Sequence, residues 1–283
     1  DLIEILAYLK PFELEIQINT NGSTRNEDFW LNVGKNLNSK SSVVFSIDGL
    51  ADTNAIYRRN TNFDKIISNL KSYLRSNSKA IWELLHFEHN THQLDEIEEL
   101  ARNLGVQEFR VKNPFGFKKT ENGLRYMISR DRNGKAEKVI YPAGQKVKDN
   151  IEKKILFIEG KSKINNFMTL PKRNSLFKNQ KETISCQSKN DGEIYIDCHG
   201  QVYPCFFLSA LFPQQEDDSQ PQVDFSAYIA VKNLAELSLK NNSLEKILNE
   251  KIFEDISSTW NTQDELSACR TYCERDCGEY NQL

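Results

Sequence analysis

Val43-Val-Phe-Ser-Ile-Asp-Gly49 decides how this chain is to be read. Four apolar residues around one serine, rich in β-branched and aromatic types, form a short continuous run, and Asp-Gly closes it with a turn signal. Such a run is a strand buried on both faces, the kind a parallel sheet requires. Downstream, Phe63 to Leu74 places Ile66, Ile67, Leu70 and Leu74 on one helical stripe. Ala80 to Phe87 reads as a second strand, Gln93 to Leu104 as a helix stopped by Gly105, and Glu108 to Lys112 as a further strand. Upstream, Asp28 to Leu37 reads as a helix. Phe12 to Asn19 alternates Leu14, Ile16 and Ile18 with polar residues as a strand does, and Leu2 to Lys10 carries a helical apolar face. Strand and helix thus alternate four times with short connections, which predicts a parallel sheet with helices outside it. Ligands of such sheets sit at the carboxyl ends of the strands. That places Thr20-Asn21, Ser46 to Asp48, His86 to Asn90 and Asn113 onward at the candidate site.

The 283 residues are 39% hydrophobic and 27% charged with a net charge of −3, the balance of a globular chain without a broadly basic nucleic-acid surface. No apolar run reaches membrane-spanning length. The chain opens on Asp1 inside an apolar-periodic segment, which predicts a fragment of a longer protein. From about Lys118 to Lys181 the alternation gives way to a polar, Lys-rich stretch. Asp131-Arg-Asn-Gly134 and Tyr141-Pro-Ala-Gly144 are its turn signals, and it reads as a bridge. The predicted organisation is residues 1–117 as a partial barrel core, 118–181 as bridge, and 182–283 as a small cysteine-rich α+β domain.

All six cysteines fall in that last part, at Cys186, Cys198, Cys205, Cys269, Cys273 and Cys277. A chain of this size needs no disulfide framework for stability, so crowded thiols favour metal or cluster ligation and a cytoplasmic setting. Ile194 to Cys205 reads as a hairpin turning at His199-Gly200, which presents Cys205 near the chain that carries Cys186. The Cys273–Cys277 step places both sulfurs on one helical face. Four converging thiolates suit an iron–sulfur cluster or tetrahedral zinc, although the two-residue-spaced pairs usual in zinc ribbons are absent. Buried, unliganded cysteines are the plain alternative. Trp30, Trp82 and Trp260 read as core or interface anchors, and His86, His89 and His92 as a polar loop that can line a substrate mouth.

Cys-x13-Gly-x4-Cys, followed by Cys-x3-Cys-Gly, resembles the auxiliary-cluster domain (SPASM or its shorter twitch form) of radical S-adenosylmethionine (SAM) enzymes. Asn19-Thr-Asn-Gly22 and Phe45-Ser-Ile-Asp-Gly49 resemble the third- and fourth-strand ends of that superfamily's barrel, and Tyr57-Arg-Arg-Asn60 and Phe63-Asp-Lys-Ile66 follow its pattern. The resemblance implies a partial (β/α) barrel of the radical SAM type whose first strands are missing, followed by the cysteine-rich domain. It implies an auxiliary [4Fe–4S] cluster on Cys186, Cys205, Cys273 and Cys277. It also implies SAM held by Thr20, Asn21, Ser46, Asp48, Arg58 and Arg59, with Ser46 and Asp48 toward the ribose and an arginine toward the carboxylate. The implied activity is an oxidoreductase-type cleavage of SAM to a 5′-deoxyadenosyl radical. A peptide or protein is the implied substrate, and ferredoxin or flavodoxin the implied reductant. The catalytic Cys-x3-Cys-x2-Cys motif and the Gly-Gly-Glu-type motif do not occur in these residues, so the chain alone is expected to be inactive. A radical SAM enzyme acting on a small molecule or nucleotide, and a cluster- or zinc-stabilised binding module, are the alternatives. Without the resemblance, Asp48-Gly49 reads as a turn and the arginine pair as a solvated cap.

Overall fold

Asparagines start the helices that frame the sheet. Asn26 and Asn62 sit in extended conformation, and their side-chain oxygens accept from the main-chain N–H of Phe29 and Lys65. In the computed structural model, which describes residues 2–131, 133–145, 151–161, 186–206, 209, 234–249, 254 and 257–258, they open α2 (Glu27–Asn36) and α4 (Phe63–Leu74). The first element is α1 (Leu2–Leu9); a single turn, α3 (Asn54–Tyr57), and α5 (Leu94–Leu104) complete the layer. Four strands, β1 (Gln17–Thr20), β2 (Ser42–Ser46), β3 (Lys79–Leu85) and β4 (Glu108–Lys112), lie parallel in the order of the chain. The register aligns Thr20, Phe45, Trp82 and Phe109 in one row and Ser46, Glu83 and Arg110 in the next.

The two faces of this sheet differ chemically. Val43, Phe45, Ile47, Ala80, Trp82 and Leu84 face a buried core built from Trp30 and Val33 of α2, Ile66, Leu70 and Tyr73 of α4, and Ile97 and Ala101 of α5. α1 packs on α2 and α2 on α4, so these helices share one side. On the opposite face Val44 and Ile81 are buried, but Ser46, Glu83, Arg110 and Lys112 follow them toward the carboxyl end. Trp30 and Trp82 are core anchors as expected. Their indole N–H groups donate to the carbonyls of Thr24 and Ile47 at 3.0 and 2.9 Å, and Trp260 lies outside the described residues.

The predicted strand over Phe12 to Asn19 is shorter in the structure. Lys10–Phe12 is a 3₁₀ turn, Glu13 has φ of 51°, and pairing begins only at Gln17. The reason is local: the Ser41 hydroxyl accepts the Ile16 N–H at 2.9 Å, and the Asn38 amide donates to the Leu14 carbonyl at 2.7 Å. Side chains there take the groups that a ladder would have used.

Residues read as a polar bridge hold an antiparallel sheet of β5 (Lys118–Lys119), β6 (Arg125–Arg130) and β7 (Ala136–Ile140), backed by α6 (Ile151–Lys161). Tyr126, Val139, Tyr141 and Ile155 are its core. Buried Glu159 accepts from Lys118 at 2.8 Å, the Tyr126 hydroxyl at 3.0 Å and Arg130 at 3.1 Å. Despite burial, those partners hold its carboxyl below the usual range.

Contacts divide the chain into two units, residues 1–166 and 167–283. In the second, α7 (Gln187–Asp191) follows Cys186, and β8 (Tyr195–Ile196) pairs antiparallel with β9 (Val202–Tyr203). The expected turn at His199-Gly200 is present: the Asp197 carboxylate accepts from the N–H groups of His199 and Gln201 at 2.8 and 2.9 Å, and Gly200 takes φ of 81°. A short helix, α8 (Leu244–Leu248), opens on a Ser243 cap.

Candidate functional site

At the carboxyl end of β2 the chain continues through Ile47 into Asp48 and Gly49, and a network of buried polar groups holds that corner. Asp48 is 0% exposed. Its main-chain N–H donates to the Asn54 side chain at 2.9 Å, and one carboxylate oxygen accepts the Leu85 N–H at 2.7 Å. The other oxygen accepts from Arg58 Nε at 2.5 Å. Burial pushes the Asp48 carboxyl above its ordinary value, while Arg58 and the Leu85 N–H pull it back.

Arg58 reaches this position because Asn54–Tyr57 makes one helical turn and stops. Its guanidinium is 26% exposed on the side-chain scale and lies 5.3 Å from the Tyr57 ring centroid. Nε is held by Asp48, and the remainder of the fork has no carboxylate partner among the described residues. A guanidinium fixed by one nitrogen and open at the other two is pre-organised to receive a ligand carboxylate in bidentate fashion. Asp48, with no exposed surface, serves that arrangement as its anchor.

The neighbouring strand ends complete the corner. Thr20 Oγ1 accepts the Gly22 N–H at 3.0 Å, and Asn21 Oδ1 accepts from the main chain and hydroxyl of Ser23 at 3.1 and 2.8 Å. Both side chains therefore set the turn through Gly22, whose φ is 67°. Ser46, half-buried between Phe45 and Ile47, has no hydrogen-bond partner for its hydroxyl among the described residues. Arg59 is turned away from Asp48 and pairs with Glu137 of β7. The structure thus sets Thr20, Asn21, Ser46 and Asp48 at the ends of the adjacent strands β1 and β2, brings Arg58 to Asp48 from the turn after α3, and ties Arg59 to the antiparallel sheet.

The sequence places Asn90 beside the candidate site but does not show what it and Gln93 bond to. Asn90 is fully buried; its amide donates to the Asp48 and Leu85 carbonyls at 2.9 and 2.8 Å, and its oxygen accepts the Phe87 N–H at 2.9 Å. Gln93 accepts from the Thr53 hydroxyl and donates to Asp52 at 2.8 Å. Polar residues next to the expected strand end were the available hint, but their partners lie 37 to 43 positions away at Leu85–Asp48 and Leu50–Gln93.

His89 stacks on Phe87 with ring centroids 5.2 Å apart, and its buried Nε2 has no hydrogen-bond partner. Burial is the main reason its pKa falls to about 4, with Lys138 and His92 adding to the effect, so the ring is neutral near pH 7. Phe87 also meets Tyr57 at 4.7 Å and Phe117 at 6.3 Å, an aromatic cluster beside Arg58.

In the second unit Cys186 and Cys205 are half-buried at the two ends of the α7–β8–β9 segment, and Cys198 is exposed in the hairpin turn. Cys273 and Cys277 lie outside the described residues, as does Cys269. Among the described residues no three His, Cys, Asp or Glu side chains are grouped to hold a metal, and no helix is long and apolar enough to cross a membrane.

Compared with solved structures, the chain is similar to SuiB of Streptococcus suis, with 13% identity over 78% of this chain and 50% of that chain at a TM-score of 0.43. The figures for SuiB bound to S-adenosylmethionine are 12%, 78%, 49% and 0.43, and for SuiB bound to precursor peptide SuiA 17%, 40%, 25% and 0.36. The chain spans about half or less of the length of these structures. No family model and no curated protein matches it.

Proposed function

We propose that this chain is the SAM-holding and auxiliary-cluster part of a radical SAM enzyme that modifies a peptide or protein. The observation that carries the reading is the corner at the carboxyl ends of β1, β2 and β3. There Asp48 holds Arg58 at 2.5 Å with its outer nitrogens open, beside the uncommitted Ser46 hydroxyl and the Thr20-Asn21 turn. SAM carries a carboxylate, an amine, a ribose and an adenine. Arg58 supplies a fork for the carboxylate, Ser46 a hydroxyl for the ribose, and Thr20 and Asn21 shape the wall of the same pocket. Asp48 acts through Arg58, and Arg59 braces the antiparallel sheet against the loop that carries Arg58. The strands follow chain order and the contacting helices lie on one side, as in one arc of a (β/α) barrel, which supports the partial-barrel reading of residues 1–117.

The donor set for the auxiliary cluster is Cys186, Cys205, Cys273 and Cys277, within residues 182–283. The hairpin that carries Cys205 has the form this role needs, and thiolates are the expected ligands of a [4Fe–4S] cluster. The three thiolates of a catalytic cluster are not among these 283 residues, so SAM cleavage belongs to the whole enzyme. When bound and reduced, that cluster supplies the electron that cleaves SAM to a 5′-deoxyadenosyl radical. This chain's residues hold SAM by its carboxylate and ribose and keep the Arg58 fork aligned while that happens. A reductant such as ferredoxin or flavodoxin completes the proposal.

Anaerobic iron, sulfide and zinc analysis of the reconstituted chain tests it. About four irons and four sulfides per chain are expected, falling sharply in Cys186→Ala and Cys277→Ala. One zinc with no sulfide would replace the reading by a zinc-stabilised binding module.

A further inference from the structure

The small antiparallel sheet contains a pairing that the fold itself does not explain. Lys119 of β5 stands directly opposite Arg125 of β6. Two like charges in that position repel, and a stable sheet ordinarily avoids them. Three nearby cations are neutralised locally: Lys118 and Arg130 by Glu159, and Lys112 by Glu83 at 2.7 Å. Neither Lys119 nor Arg125 forms an ion pair among the described residues, and both are exposed. Arg125 is nevertheless held in place. Its main chain exchanges two hydrogen bonds with the Gln145 side chain, at 3.0 and 2.7 Å, and its guanidinium lies 5.1 Å from the Phe117 ring centroid. Phe115, two residues earlier, is 66% exposed.

From this we infer that Lys119 and Arg125, with Phe115 and Phe117, form a docking site for an acidic peptide segment that alternates carboxylate and aromatic or other apolar side chains. The inference deepens the proposed function by naming the chemistry of its peptide substrate, and it rests on that reading of the substrate. A carboxylate lying between the two cations removes their repulsion and gains from both, so the like pair becomes favourable only when the site is occupied. The exposed ring of Phe115 supplies the apolar contact beside it. An acidic peptide fits better than a nucleic acid. The site sets an exposed aromatic ring beside its cations, the whole chain carries −3, and a phosphate backbone is held by a long run of cations.

Fluorescence anisotropy on the full chain tests the inference with three fluorescein-labelled probes at low and high salt. The probes are a Glu-Ser-Glu-Phe repeat peptide, its Gln-Ser-Gln-Phe counterpart, and an oligothymidylate. The acidic peptide should bind about tenfold or more tighter than the Gln counterpart and weaken with salt. Lys119→Glu is the informative variant. It replaces a like pair by an opposite one, so the melting temperature should hold or rise while affinity for the acidic peptide falls about tenfold. Equal binding of the Gln counterpart, or unchanged affinity in a folded Lys119→Glu chain, would overturn the proposal. Tighter binding of the oligothymidylate than of the acidic peptide would also overturn it, in favour of a nucleic acid. Iron and sulfide content of the same preparations reports on the cluster separately, so failure of the docking site and failure of the enzyme reading are distinguishable.

Discussion

Replacing Asn90 with alanine removes one side chain and takes a partner from three main-chain groups: the carbonyl of Asp48 and the N–H of Phe87, in buried bonds, and the part-buried carbonyl of Leu85. The bonds are 2.8 to 2.9 Å long, and Asn90 is 0% exposed, so water does not already compete for them. Each buried group left without a partner costs about 1–3 kcal/mol. The hole left by the amide admits some water, which favours the low end for each, so the sum is about 3 kcal/mol. That is a large fraction of the roughly 5–15 kcal/mol that holds a domain together. Because the three groups lie at the ends of β2 and β3, the loss should act first as local opening of that corner. Hydrogen–deuterium exchange of peptides covering 43–50 and 83–90 should speed up about a hundredfold, since about 3 kcal/mol corresponds to roughly two factors of ten. Thr91→Ala, which removes a hydroxyl bonded to the Phe87 carbonyl and the His86 ring from an exposed residue, should change exchange by less than about tenfold. If Asn90→Ala accelerates exchange by less than about fivefold, the network does not hold the corner and the role given to Asp48 beneath Arg58 fails with it.

Two other expectations follow from the same corner. In Gly49→Ala the new Cβ would stand 2.8 Å from the main-chain nitrogen of Asn54 and 3.0 Å from Thr53 Cβ, so the turn must open. A loss of about 2–4 kcal/mol by urea denaturation is expected, whereas Gly105→Ala, with open space around its Cβ and φ of 85°, should lose about 1–2 kcal/mol from backbone strain alone. The pKa of His89 is lowered from 6.5 to about 4, so folding favours the neutral ring. Its contribution is complete above pH 6.5 and is lost as pH falls from there toward 4. The ring is half-buried, so solvent screening reduces the effect to about 1–2 kcal/mol. His89→Phe should flatten the fall in stability between pH 6.5 and 4, and an unchanged acid limb would show that the ring is not held neutral by burial.

How much of this was legible in the sequence depended on the range of the interactions. Phe63 to Leu74 and Glu108 to Lys112 have in the sequence the bounds the structure gives, because periodicity and flanking turn residues are local signals. The end of β2 at Ser-Ile-Asp-Gly was equally plain. By contrast, Lys118 to Lys181 reads as a polar bridge, since its basic character is visible while the residue that neutralises Lys118 and Arg130 is remote. Glu159 lies 41 positions from Lys118 and 29 from Arg130, and only the fold brings the three together. The same holds for Asp48 and Leu85, which are 37 positions apart. The truncated first strand had a third cause: Ser41 and Asn38 intercept the backbone of residues 14–16, a competition that an alternating pattern cannot reveal.

The asymmetry of the parallel sheet explains why the corner is chemically competent at all. Parallel sheets are ordinarily apolar on both faces, because helices cover both. Here the helix-bearing face is closed by Phe45, Trp82 and Leu84, while the other face passes from buried Val44 and Ile81 to Ser46, Glu83, Arg110 and Lys112. Those charges are arranged in opposite pairs, Glu83 of β3 with Lys112 of β4 at 2.7 Å and Arg110 with Glu108 along β4 at 2.5 Å. Half-exposed pairs of this kind add little to stability, so the sheet gains little by having them there. What they do is keep that face hydrated and near neutral toward its carboxyl end, where Arg58, paired with Asp48 through Nε, keeps its two outer nitrogens open. A ligand carboxylate arriving there meets a guanidinium already fixed in orientation by Asp48. A second apolar face would have packed away as core, and a uniformly basic one would have bound anions at many places. The paired face instead leaves one place where a carboxylate can be held in a single orientation.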